Sequence, residues 1–122
     1  MYYILALFYH KNKPPSIHGL WPQYTKDTWP EFSDPKRIFD INKIKDLRAE
    51  LDKYWWSYNK NEDFWKHEYL KHGTYGFKHE HNYFKTALEC YKDHVNNKKE
   101  LQFFKHGHNI YIEPSEFKPL KI

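Results

Sequence analysis

A chain of 122 residues that is 20% aromatic, with 5 Trp, 11 Tyr and 9 Phe, has the length of one small domain and enough rings for a packed core. That content excludes a disordered chain despite a mean hydropathy of −1.04, while a net charge of +4 and a pI near 9.0 suit a polyanionic partner without requiring one. Cys90 is the sole cysteine, which excludes an intrachain disulfide, and no run approaches the roughly 20 apolar residues of a membrane span.

Tyr2-Tyr3-Ile4-Leu5-Ala6-Leu7-Phe8-Tyr9 reads as a buried strand closed by the turn-prone Lys13-Pro14-Pro15. It carries neither a basic leader nor a small-residue cleavage site, so no signal peptide is read from it. Without disulfides, a reducing compartment, the cytoplasm, is the expected location. Residues 16–35 hold Pro22, Pro30 and Pro35 and show no helical period, predicting an irregular loop. Ile41, Ile44, Leu47, Leu51 and Tyr54 recur at three or four residues and predict an amphipathic helix over residues 42–58, its stripe thickened by Trp55 and Trp56. Asn61 or Asp63 is the expected cap of a second helix, which Gly73 ends in a left-handed conformation. Tyr83, Phe84, Ala87, Leu88, Tyr91 and Val95 define a third helix, and Asn109-Ile110-Tyr111-Ile112 reads as a late strand. Neither a repeat nor an internal linker is visible, so one domain over residues 1–122 is expected.

Two segments carry chemistry. The second helix contains Phe64-Trp65-Lys66-His67-Glu68-Tyr69-Leu70-Lys71-His72-Gly73-Thr74. Measured from His67 on a regular helix, Lys71 lies about 40° round, Glu68 about 100° and His72 about 140°, so four polar groups share a broad face. Trp65 and Tyr69 are expected to flank His72, with Leu70 turned to a core. The plain alternative is a solvated face with an i,i+3 Glu68–Lys71 pair. Zinc is disfavoured, because imidazoles at i,i+5 diverge by about 140° where the zinc-protease spacing gives about 40°.

Ser16-Ile17-His18-Gly19-Leu20-Trp21-Pro22 supplies a third histidine beside a tryptophan suited to stacking on a base. A core Trp and a hydrogen-bonded loop His are the plain alternative. Taken together, the histidines offer metal-free acid–base chemistry on RNA, because imidazole titrates near neutrality and the substrate's own 2′-hydroxyl is the nucleophile.

In order and flanking residues, the two segments resemble the His-Gly-Leu-Trp-Pro and Phe-Trp-x-His-Glu-Trp-x-Lys-His-Gly-Thr-Cys signatures of the ribonuclease T2 family. The resemblance covers residues 2–94, including the opening strand and the helix that begins Tyr83-Phe84. It implies an α+β fold, an antiparallel sheet packed with helices. It also implies an endoribonuclease that cuts single-stranded RNA with weak base preference, through a 2′,3′-cyclic phosphate that water opens to a 3′-phosphate, with no cofactor. Carried over by position, His18 and His72 become the acid–base pair, with His72 favoured as base and the assignment left open. His67 binds phosphate, Glu68 and Lys71 stabilise the charged phosphorus centre, and Trp21 helps hold a base. Phe8 and Tyr9 stand where the family has a polar–aromatic pair that helps bind a base; with Trp21, Trp65 and Tyr69 they form the expected substrate-contacting set. Tyr69 replaces a Trp, and Tyr75 stands where the family has a Cys. The chain is shorter than typical members, which motivates a second expectation: an inactive relative that binds RNA or a protein. An inhibitor or partner protein is an expected means of control, and the oligomeric state is open.

Outside the two segments, His79-Glu80-His81 and His106-Gly107-His108 are candidate divalent-metal ligands, more plausibly solvated loop histidines. Cys90 is expected in the core, and Lys43, Lys45 and Arg48 face either solvent or phosphate.

Overall fold

The computed structural model describes residues 2–10, 12–25, 27–97, 103–106 and 109–112; the side chains of Tyr2, Tyr9, Asn96, Asn97 and all residues beyond 97 lie outside that description. The opening apolar run forms β1 (Tyr2–His10), in which Tyr3, Ile4, Leu5, Ala6 and Leu7 are all buried. An unbroken apolar run is what a strand covered on both faces requires. β1 lies between β2 (Lys13–Gln23) and β4 (Asn109–Ile112), and β3 (Phe103–His106) completes an antiparallel sheet in the order β2-β1-β4-β3. The late strand is where the sequence puts it; β3 was not foreseen.

The expected loop over residues 16–35 is corrected in its first part. Residues 16–23 belong to β2, paired with β1 from Leu7 opposite Ile17 to Tyr2 opposite Gln23. Pro14, Pro15 and Pro22 mislead because proline signals a break, yet an edge strand tolerates a residue that cannot donate to a ladder. The chain reverses between His10 and Lys13, so Lys13-Pro14-Pro15 opens β2 instead of forming the turn.

The predicted first helix is a 3-10 segment, Ile41–Leu47, running into α1 (Arg48–Tyr54). Asp40 caps the 3-10 segment by accepting the Asn42 N–H at 3.0 Å, and its own N–H donates to buried Glu80 at 2.8 Å. The helix stops short of residue 58 because Trp55 leaves it (φ −128°, ψ 50°) to enter the core.

α2 (Asn61–Glu68) opens with Glu62 and Asp63 and closes with Lys66 and His67, a charge order that complements the helix dipole. Neither expected cap is used. Lys60 stands at the N-cap without a side-chain bond, and Asn61 instead accepts the Ser57 N–H at 2.7 Å and donates to Asp52 at 3.0 Å. A π-helical turn, Tyr69–Gly73, continues α2. The expected left-handed stop at Gly73 is also corrected: Gly73 has no positive φ, and Thr74 follows in right-handed geometry (φ −78°). Gly73 is needed for space, since a Cβ there would lie 2.8 Å from Tyr69 Cδ1 and 3.0 Å from Tyr83 Cδ1.

α3 (Glu80–Asn97) matches the third predicted helix. It buries Tyr83, Phe84, Ala87, Leu88 and Tyr91 against β1, β2, the 3-10 segment, α1 and the π-helical turn. Trp55, Trp65, Tyr69, Tyr83 and Phe84 fill the core, and Trp55 and Phe84 centroids lie 5.0 Å apart. Each such ring takes roughly 200 Å² out of water, about 5 kcal/mol gross at ~25 cal/mol per Å². Cys90 packs against this cluster as expected, and burial pushes its thiol up to about 12.

Candidate active site

His18 sits on a β-bulge. Ala6 pairs with Gly19 and Leu7 with Ile17, so His18 is the extra residue on β2. A bulge bends its strand and re-aims a side chain. The His18 carbonyl accepts the Trp55 indole N–H at 3.0 Å, which fixes the bulge to the core. Across from it stands the end of α2. Glu68 is 1% exposed, and its Oε1 lies 3.1 Å from His18 Nε2. Its Oε2 lies 3.4 Å from His72 Nε2, one turn further on in the π-helical segment. One buried carboxylate thus faces both histidines. Burying it alone would cost several kcal/mol, which this pairing offsets.

Tyr83, fully buried in α3, clamps the two elements. Its hydroxyl donates to the Leu20 carbonyl at 3.1 Å and accepts the Leu20 N–H at 3.3 Å, with the Glu68 carbonyl 3.5 Å away. Aromatic rings wall the cluster. Phe8 stacks on His18 (4.2 Å, 13°), Trp21 stacks on His72 (5.0 Å, 27°) and meets His18 edge-on (4.8 Å, 73°). Gly19 makes room for them. A Cβ there would collide with Trp21 Nε1 and come within 2.9 Å of Trp21 Cδ1 and 3.1 Å of Glu68 Oε1.

The four polar groups of the second segment do not share one environment. Glu68 and His72 face inward and are buried; His67 is exposed and Lys71 is partly so, with its Nζ 3.5 Å from Glu31 Oε1. An open cleft of about 700 Å³ adjoins the cluster, lined by Phe8, His10, Trp56, Tyr58, Phe64 and His67 among others.

Two expected substrate contacts are corrected. Trp65 and Tyr69 are both 0% exposed. Trp65 donates to the Trp55 carbonyl at 2.6 Å, and the Tyr69 hydroxyl accepts from Arg37 at 2.8 Å. Both are core residues: Tyr69 packs on Tyr83 and Phe84 of α3, and Trp65 is covered by Trp55 and Arg48. Phe8 and Trp21 do stand at the cluster, whereas the Tyr9 side chain lies outside the described residues. Among the metal candidates, Glu80 is spent on Asp40 and His81 is 2.8 Å from Asp46, while the side chains of His106 and His108 lie outside the described residues. Among the described residues, no group of three His, Cys, Asp or Glu side chains is arranged to hold a metal ion. Arg48 is engaged by Asp52 and Glu62 and lies over the Trp65 ring at 5.1 Å.

Burial, followed by the positive charge of Lys71, His18 and His67, lowers the His72 pKa from 6.5 to about 3. Dehydration of the imidazole sets the direction. The unfolded chain therefore binds a proton that the folded site refuses between pH 6.5 and about 3. Stability from this group is complete above pH 6.5 and declines as pH falls through that window, by at most about 1.4 kcal/mol per pH unit. Urea unfolding across the window is expected to show this decline in the parent and a shallower one in a His72→Asn variant; parallel curves would reject it.

The Ribonuclease T2 family profile matches residues 8–119, nearly the whole chain. The chain belongs to the Ribonuclease T2 family. Among curated members, intracellular ribonuclease LX of Solanum lycopersicum is 41% identical over 78 residues, 61% of this chain and 33% of that protein. Ribonuclease DdI of Dictyostelium discoideum is 37% identical over 114 residues, covering 88% of this chain and 48% of its own length. The chain thus spans about a third to a half of these relatives. RNase NT, solved with 5′-AMP, superposes with a TM-score of 0.65 at 21% identity over 89% of this chain and 82% of its own. Human RNase T2 superposes with a TM-score of 0.61 at 25% identity, over 84% of this chain and 65% of its own. The expected T2-type α+β fold therefore holds.

Three parts of this T2 site escaped the sequence: the bulge at His18, the Tyr83 clamp and the contact of Glu31 with Lys71. A glycine inside an apolar stretch signals a bulge or a close approach, so Gly19 was the available clue to the first. The other two join residues far apart in the chain and leave no local signal.

Proposed function

We propose that this chain cleaves single-stranded RNA without a metal, by transphosphorylation to a 2′,3′-cyclic phosphate. The observation that carries the reading is the single buried carboxylate of Glu68 set between His18 and His72. The substrate's 2′-oxygen attacks phosphorus as the bond to the 5′-oxygen breaks. His72, held neutral by burial, accepts the 2′-hydroxyl proton. Glu68 Oε2, 3.4 Å from His72 Nε2, stabilises the imidazolium that forms. His18 gives its proton to the departing 5′-oxygen; its side chain is 21% exposed, so water can restore that proton, whereas His72 is only 6% exposed. This difference supports His72 as base and His18 as acid. Lys71 and His67 present positive charge to the phosphate, where charge develops. The aromatic cleft lined by Phe8, Trp56 and Phe64 suits a stacked base, worth about 1–3 kcal/mol, and the charged residues described along it, Lys60 and Asp63, are exposed, which fits weak base preference. RNase NT with 5′-AMP and an RNase MC1 variant with 5′-UMP show that relatives of this fold take nucleoside monophosphates.

The chain's short span of its relatives favours one other reading, a module that binds RNA or protein without cutting. Incubation with a short single-stranded RNA, with and without chelator, separates the two. Chelator-resistant cleavage leaving 2′,3′-cyclic ends is expected, later giving 3′-phosphates. Folded protein that binds RNA but never cuts it would establish the module, and loss of cutting in chelator would point to a metal hydrolase instead.

A further inference from the structure

Glu31 plays no part in the chemistry above, yet it touches the machinery. Its Oε1 accepts the Trp29 indole N–H at 2.9 Å and lies 3.5 Å from Lys71 Nζ. The adjacent Phe32 docks the loop on the π-helical turn, its N–H donating to the Lys71 carbonyl at 2.9 Å. Phe32 adopts φ 48°, a left-handed geometry that side-chain-bearing residues rarely take, so the docking outweighs a local backbone cost. Its ring meets His67 edge-on at 6.4 Å. The loop therefore brings one carboxylate to the outer pair of cations. The Trp29 N–H, with Lys71 and His67, holds that carboxyl below its usual range, so it carries its charge at neutral pH.

We propose that Glu31 is an intramolecular counter-ion of the phosphate site, occupying the anion position beside Lys71 until the RNA phosphate displaces it. The inference rests on the reading that Lys71 and His67 receive phosphate. A carboxylate and a phosphodiester each offer a single negative charge and two outward oxygens, so the two compete for one ammonium group. Glu31 and Lys71 side chains are 40% and 29% exposed, so the pair can open without unpacking the core. Exposed pairs contribute little to stability, so the consequence of this one falls on anion affinity. Glu31 is thereby a brake on substrate binding and a determinant of which ligands can enter: weakly charged ones do not dislodge it.

The test is calorimetric titration of inorganic phosphate into the parent, Glu31→Gln and Lys71→Met proteins, together with steady-state cleavage of a short RNA. Glutamine keeps an oxygen for the Trp29 N–H and removes only the charge, and matching thermal unfolding shows that the fold is intact. Glu31→Gln is expected to bind phosphate about fivefold more tightly and to lower KM for RNA by a similar factor, with kcat retained. Equal phosphate affinity in parent and Glu31→Gln overturns the inference. If Lys71→Met is then weaker, the phosphate site survives without its counter-ion. If Lys71→Met is also unchanged and RNA is not cut, the proposed function falls with it.

Discussion

Replacing His72 by alanine is expected to lower the rate of RNA cleavage by about 10²–10⁴-fold, the range contributed by a positioned general base. The loss should appear in kcat and kcat/KM together, because the proton moves in the transition state and not on binding. The residue is 5% exposed, so some of its removal is felt as lost packing against Trp21. His72→Asn separates the two effects: it fills most of the space and keeps a polar group near Glu68 but cannot take a proton. Both variants should still bind phosphate, which the outer cations Lys71 and His67 receive. Single-turnover cleavage with the parent protein as reference is the measurement, and a His72→Asn protein cutting at the parental rate would overturn the assignment of His72 as base.

Gly19→Ala is expected to cost about 10²-fold in activity, the scale of loss when a catalytic group shifts by about 1 Å. The added methyl enters the space of Trp21 Nε1 and lies 2.9 Å from Trp21 Cδ1 and 3.1 Å from Glu68 Oε1. Neither neighbour yields easily. Trp21 is stacked on His72, and Glu68 is buried between two imidazoles. One of them must move, and either movement disturbs the contact with His72. Overpacking of this kind also lowers stability, by about 1–3 kcal/mol. Thermal unfolding and cleavage rate measured on the same preparation check both parts; a variant with parental activity would mean that the bulge relaxes to admit a methyl group.

The second segment was legible because a helix repeats at a short period, so the closeness of Glu68 and His72 follows from their spacing alone. How the face divides did not follow. Trp65 and Tyr69 carry the residue types of a base-binding wall, yet both are fully buried, Tyr69 against Tyr83 and Phe84 and Trp65 against Trp55 and Arg48, and such cover is contributed by residues outside the segment. The first segment read as a loop because its prolines are local signals of a break, while its place at the sheet edge is a tertiary fact. A glycine after a helix most commonly signals a left-handed stop, whereas Gly73 is required by the proximity of Tyr69 and Tyr83.

The order of residues therefore determined the inventory of the site: three histidines, a glutamate and a lysine in two segments matching the T2 family, on an α+β chain with a central apolar strand and an amphipathic third helix. Periodicity and residue type suffice for that much, since both act over a few neighbouring positions. Only the tertiary structure decided that Glu68 stands between His18 and His72, that a bulge aims His18 at it, and that Glu31 reaches Lys71. Those contacts depend on how a sheet edge, a helix end and a loop pack together. Burial and long-range pairing then set which groups lose water, and with it which hold a proton.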